Sequence, residues 1–171
     1  MGRTVSLVAP SGFTPAIGAR LAELDDVRRE THRYAAGLSP AQLAWTPHPK
    51  VESIATQLLH IAAVERSWIG EDLERRPMGE EWAPAFALRT GQPQIDGHDL
   101  AYFVERLDAM REETRRALAT LSDADLTREI QCLDAPPESE RFTLDWILHH
   151  LIEHEAHHRG QIALLKRLLP I

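Results

Sequence analysis

The chain closes on a run that limits what the rest can fold into: "LDWILHHLIEHEAHHRGQIALLKRLL", residues 144–169. Leu144, Ile147, Leu151, Ile162, Leu165 and Leu169 recur there at steps of three and four or their multiples, the period of an amphipathic helix. Thr143 stands in front as a capping hydroxyl. A helix of this length cannot bury its stripe against itself, so it demands partner elements of similar reach.

The remaining sequence offers more helices. Thr14-Pro15 is a start signal, and Ile17, Leu21, Leu24, Thr31, Tyr34 and Leu38 then keep helical spacing, with Gly37 as a stop. The connector "LSPAQLAWTPHPK" leaves room for one turn at Pro40 to Leu43. Ser53 caps a second long helix reaching to about Arg75, with Ile54, Leu58, Ile61, Glu65 and Trp68 on one stripe. The segment "RPMGEEWAPAFALRTGQPQIDG" is rich in proline and glycine and longer than most connections, so it is either functional or a crossover. A third long helix from about Asp99 to Thr120 carries Leu100, Phe103, Leu107, Met110, Ala117 and Leu121. A short "LSDADL" turn and a loop around Cys132 to Arg141, broken by Pro136-Pro137, lead to the last helix. No stretch alternates with period two, so no strand is predicted. The expected architecture is all-α, a four-helix bundle formed by residues 1–171 as one domain, with residues 1–13 as an N-terminal extension.

At 171 residues the chain can bury a core without disulfides or a structural metal. A net charge of -7 argues against nucleic acid as a partner, because phosphates call for a basic face. The single cysteine, Cys132, cannot form an internal disulfide, and no apolar run approaches a membrane span or a secretory core. Gly2 and Ser6 match the loose N-myristoylation pattern, but nothing else points to a membrane. The expected location is cytoplasmic.

Nine histidines are present, and helix geometry separates them. His158 falls about 20° from Leu151 and His154 about 60° from it, both on or beside the apolar stripe of the last helix. They stand where core leucines would be expected. A buried imidazole needs a partner for both nitrogens, and two at i, i+4 point to a shared metal. His60, in "SIATQLLHIAAVE", lies at the edge of the apolar face of the second helix. It is either a third ligand at a helix seam or a half-exposed boundary residue. His32, His48 and His98 lie near helix boundaries or in connectors and read as solvated.

His154, Glu155 and His158 also spell H-E-x-x-H, the zinc-protease signature. Its extended form puts glycine three and histidine six residues beyond the second histidine, where this chain has Gln161 and Leu164. No carboxylate or histidine follows His158, and no strand offers an edge to a peptide. A zinc protease is therefore the remote alternative.

Together, "SIATQLLHIAAVE", a long middle and the tail "HEAHHRGQI" resemble the DinB/YfiT-like superfamily of metalloenzymes over nearly the whole chain. The resemblance implies a four-helix bundle with one divalent ion (zinc, nickel or iron) on His60, His154 and His158. It further implies transferases or isomerases that act on a small-molecule electrophile with a low-molecular-weight thiol such as bacillithiol, mycothiol or glutathione, often as homodimers. Three neutral nitrogens would leave the ion an open position, the arrangement of catalytic sites. Glu155, on the inward side, either orients a ligand or moves a proton as the candidate catalytic residue, or forms an interhelical salt bridge to an arginine. His150, Arg159 and Gln161 are expected to support the ligands, Gly160 to allow a close helix contact, and Cys132 to be a filler or loop residue. Besides the thiol-dependent enzyme, a non-catalytic metal-binding stress-response protein and a bundle without metal stay open.

Overall fold

A computed structural model of the chain describes residues 4–91 and 93–170. The pattern at Gly2 and the first three residues of the 1–13 extension lie outside them. The helices are α1 (Pro15–Ala35), α2 (Pro40–Ala44), α3 (Ile54–Glu65), α4 (Ala87–Thr90), α5 (Leu100–Ala119) and α6 (Leu144–Leu168). Helix α3 continues without a break as a π-helix, Arg66–Leu73, and 3₁₀ turns cover Glu80–Phe86 and Asp123–Thr127. The fold is all-α, with α1, α3, α5 and α6 as the bundle, and the expected helices sit within a few residues of their sequence-based limits. No described helix is long and apolar enough to cross a membrane.

Local chemistry explains most of the boundaries. Ser53 accepts from the Thr56 amide at 3.1 Å, Asp99 from Tyr102 at 3.1 Å and Thr143 from Trp146 at 3.2 Å, each taking one amide left unpaired at a helix start. Ser39 and Gln42 form a reciprocal capping box on α2. Thr14 behaves differently. Its hydroxyl donates to Asp123 Oδ1 at 2.5 Å, and that same oxygen accepts the Ala16 and Ile17 amides at 3.0 Å each. The start of α1 is thus capped by a residue from a turn more than a hundred positions away. Asp123→Ala is expected to lower the thermal midpoint by roughly 2–4 °C, read by circular dichroism, whereas a Thr14 cap acting alone would leave it unmoved.

Two features depart from expectation. A two-residue antiparallel ladder pairs Glu129 with Thr143 and Ile130 with Phe142, joining β1 (Glu129–Ile130) to β2 (Phe142–Thr143). Strands this short cannot display an alternating pattern, which needs four or more residues to show. Gly160 lies on the exposed side of α6, and a methyl group on its Cα would meet nothing within 4 Å. It therefore does not serve a close helix contact.

Helices α1 and α6 run parallel, tied by Arg20 to Asp145 at 2.9 Å near their N-terminal ends and by Lys166 to the Tyr34 and Ala36 carbonyls at 2.9 Å near their C-terminal ends. The buried side chains fall into two groups. One contains Leu43, Ile54, Leu58, Phe103, Leu107 and Ile162; the other contains Ile17, Leu21, Ile69, Leu118, Leu144 and Ile147. Between them, at mid-height on every long helix, the stripes turn polar: Arg28, Glu65, Arg111 with Thr114, and Glu155 with His158 are all buried. The bundle is two apolar cores separated by a polar layer.

Candidate metal centre

The apolar period of α3 and α6 carries His60, His154 and His158 inward, and the antiparallel packing of the two helices brings them together. One nitrogen of each lies within 4.8 Å of the others, and this is the group of metal-capable side chains found among the described residues. His60 Nε2 and His154 Nε2 are 3.2 Å apart. Ring centroids are 5.0 Å apart for His60 and His154, 5.0 Å for His60 and His158, and 4.5 Å for His154 and His158. His60 and His158 are buried, and His154 is half-buried.

The orientation of His60 comes from a segment that has no sustained periodicity in the sequence. The Glu80–Phe86 turn packs on α3, and the Ala85 carbonyl lies 3.0 Å from His60 Nδ1 while the Phe86 ring meets the imidazole edge-on at 5.4 Å. With Nδ1–H donating to that carbonyl, the lone pair of Nε2 is left pointing at its histidine neighbours.

Burial first, and then the positive fields of His158 and His60, push the His154 imidazolium down to about 3. Burial, followed by His60 and His157, takes His158 down to about 4. Burial likewise lowers His60. All three rings are therefore neutral at pH 7, the form that ligates.

These residues fit a divalent ion. Two imidazoles on one tetrahedral ion, each about 2.0–2.1 Å from it, have nitrogens about 3.3 Å apart, close to the observed separation. A 3.2 Å approach also suits one ring donating to the other, but that leaves His158 Nδ1 buried with no hydrogen-bond partner. An orphaned nitrogen at this depth is costly without a partner such as an ion.

The other sequence-based candidates are placed as follows. Glu155 is buried, but its carboxylate is not part of the histidine group. It accepts from Arg28 Nε at 2.8 Å, from Arg28 Nη2 at 3.1 Å and from Arg111 Nη2 at 3.4 Å. Of the two roles read from the sequence, the interhelical salt bridge is the one present. Glu155, the residue that the H-E-x-x-H pattern would make a general base, is held by two guanidinium groups. His150 stacks on Trp146 at 4.9 Å, meets Trp68 edge-on at 5.7 Å and keeps its ring centroid 5.8 Å from His154. Gln161 Nε2 approaches His157 Nε2 at 2.9 Å, and the Gln161 side chain also acts on His158, opposing the lowering that burial causes there. Arg159 is half-buried and, with the nearer Arg33, holds the Glu30 carboxyl of α1 below its ordinary range. His48 is exposed, but His98 stacks on Tyr102 at 3.7 Å and His32 is half-buried, 3.4 Å from Asp108, so these two are not simply solvated.

Beside the histidines opens a cleft of about 450 Å³. It is lined by His60 and His154, by Trp68 and Asp72 from the π-helix, and by Arg89 and Cys132 among others. The Cys132 thiol is pushed up by burial and by the neighbouring Asp72 carboxylate, so it is a poor nucleophile. The wider π turn re-aims this stretch relative to an α-helix, a feature that hydrophobic periodicity cannot reveal.

Comparison with known proteins agrees with this architecture. No curated protein matches the chain. Among solved structures it is similar to a conserved protein from Enterococcus faecalis, at 20% identity and a TM-score of 0.65, covering 87% of this chain and 94% of that one. It is also similar to a DinB-like protein from Bacillus cereus, at 19% identity and a TM-score of 0.57, covering 89% of this chain and 91% of that one. Residues 23–162 match the family model of the DinB superfamily, a span that includes all three clustered histidines. The chain belongs to the DinB superfamily.

Proposed function

We propose that His60, His154 and His158 hold one divalent ion, and that the protein is a metal-dependent transferase or isomerase acting on an electrophile with a low-molecular-weight thiol. The observation that supports it is a single arrangement: three neutral imidazoles converge, two of them, His60 and His154, lining an open cleft and the third, His158, buried behind them with an orphaned nitrogen. A structural site closes all positions with protein ligands; three nitrogens beside a cleft leave one open. A divalent ion bound there lowers the pKa of a thiol or water and so supplies a nucleophile at neutral pH. The chain's own residues prepare the place. Burial keeps the rings unprotonated, the Ala85 carbonyl fixes the His60 tautomer, and Trp68 and Phe86 give the cleft apolar walls. Cys132 has no part in this, since the reacting thiol arrives with the cosubstrate.

Purified protein loaded with zinc, nickel or iron is to be assayed on small electrophiles with bacillithiol, mycothiol and glutathione. Turnover that requires both metal and thiol, and that disappears on chelation, is the expected result. A metallated protein inert with all three thiols would overturn the catalytic reading and favour the non-catalytic metal-binding alternative.

A further inference from the structure

The polar layer at mid-height joins the very helices that carry the histidines. Arg28 of α1 donates from Nη2 to Glu65 at 2.7 Å and from Nε to Glu155 at 2.8 Å. Arg111 of α5 spans the same two carboxylates, from Nε to Glu65 at 2.8 Å and from Nη2 to Glu155 at 3.4 Å. Helices α3 and α6 are therefore bridged twice, once from each of the other long helices. The remaining valences are filled as well. Thr114 Oγ1 donates to Glu65 at 2.7 Å, and Arg28 Nη1 donates to the Leu107 carbonyl.

Two features set this cluster apart from an ordinary ion pair. Its two arginines and two glutamates balance, and Asp25, 3.5 Å from Arg111 Nη1, is itself paired with Arg115, so the cluster brings no net charge to the neighbouring site. It is also adjacent to the ligands in the chain. Glu155 lies between His154 and His158, about 1.5 Å and 4.5 Å from them along the helix axis, and Glu65 lies about 7.5 Å beyond His60. A guanidinium fork holds a carboxylate in distance and in direction, which a lysine cannot do. Fixing the carboxylates of Glu65 and Glu155 to common forks therefore fixes both the separation and the rotation of α3 against α6.

We propose that Arg28 and Arg111 are positioning residues for the three-histidine centre. By bridging Glu65 and Glu155 they hold α3 and α6 at the register in which His60 meets His154 and His158. This rests on the metal reading above, and the test separates the two. The probe is Co²⁺ alone, titrated into apoprotein and followed by its visible absorption, with helicity recorded in parallel. The paired replacement Arg28→Met with Glu155→Leu removes one cation and one anion and leaves Glu65, Arg111 and Thr114 matched, so the bundle keeps a balanced layer. It is expected to stay helical, to bind Co²⁺ about 10–100-fold more weakly and to show an altered visible spectrum. Arg20→Met with Asp145→Leu, a bridge between α1 and α6 away from the histidines, should leave both readouts unchanged. A helical Arg28→Met/Glu155→Leu protein with wild-type Co²⁺ affinity and spectrum overturns the proposal. If that variant fails to fold, Arg111→Lys decides by the same criteria: it keeps the charge and loses the fork. Wild-type protein that takes up no Co²⁺ removes the metal reading, and the positioning role with it.

Discussion

Glu65→Ala is expected to destabilise the protein by about 3–5 kcal/mol, the largest loss from any single truncation outside the apolar cores. Glu65 accepts four hydrogen bonds, from Arg28, twice from Arg111 and from Thr114, and only 2% of its surface is exposed. Burial alone would raise its carboxyl, but the two guanidinium groups outweigh that and hold it well below the usual carboxylate range. The loss comes less from the missing attraction than from what remains, two buried arginines facing one glutamate. Urea unfolding followed by circular dichroism measures it. A shift within error of wild type would mean that the layer is hydrated and its charges are screened. The sign with pH follows from the same depression. The contribution of Glu65 is present above the ordinary carboxylate range and is lost as pH falls through the lowered value.

His158→Leu is expected to separate stability from metal binding. Leucine suits a position buried on the apolar stripe of α6, and it removes the nitrogen that has no partner. The apoprotein should hold its stability or gain up to about 1–3 kcal/mol, the cost of an unsatisfied buried polar group. Metal affinity should fall by more than the roughly 10–100-fold that follows loss of a group supporting a ligand. Thermal unfolding of apoprotein and competition with a chelating dye read the two effects independently. A destabilised apoprotein with unchanged metal affinity would identify His158 as a structural core residue. The expected pattern, a substitution that helps the fold and harms the site, is the signature of a residue kept for function.

Much of the bundle and two-thirds of the site are legible in the sequence. The stripe of α6 is a strong periodic signal, and an imidazole within it stands out because it is polar where leucine belongs. Spacing alone thus places the two histidines four residues apart on one face. His60 is harder to read, because the edge of a stripe does not say whether the neighbouring helix comes close. The layer of charges leaves a trace that is clear in retrospect. Arg28 fills the slot between Leu24 and Thr31 in the period of α1, Glu65 that between Ile61 and Trp68 in α3, and Arg111 with Thr114 the gap between Met110 and Ala117 in α5. Each looks like a flaw in a stripe when taken singly. That these three flaws meet Glu155 of α6 at one level is a property of helix registry, which local periodicity does not encode.

Other features leave no trace of that kind. The carbonyl that orients His60 belongs to Ala85, and every residue type carries a backbone carbonyl, so no side chain marks it. The sequence motif assigns the cap of α1 to Thr14 because it is complete without Asp123, whose approach depends on the fold of a distant turn. The H-E-x-x-H string misleads for a related reason. Its glutamate is inward-facing, as a general base would be, but the inward side of α6 at that level meets arginines.

The most direct test of the three-histidine centre is elemental analysis of protein purified without a histidine tag, alongside His60→Ala prepared identically. Wild type should carry about one equivalent of a first-row divalent ion per chain, and the variant should carry almost none. Wild type with less than about a tenth of an equivalent after incubation with zinc, nickel or iron and removal of free ion would contradict it, and the three histidines would then be core residues of a metal-free bundle.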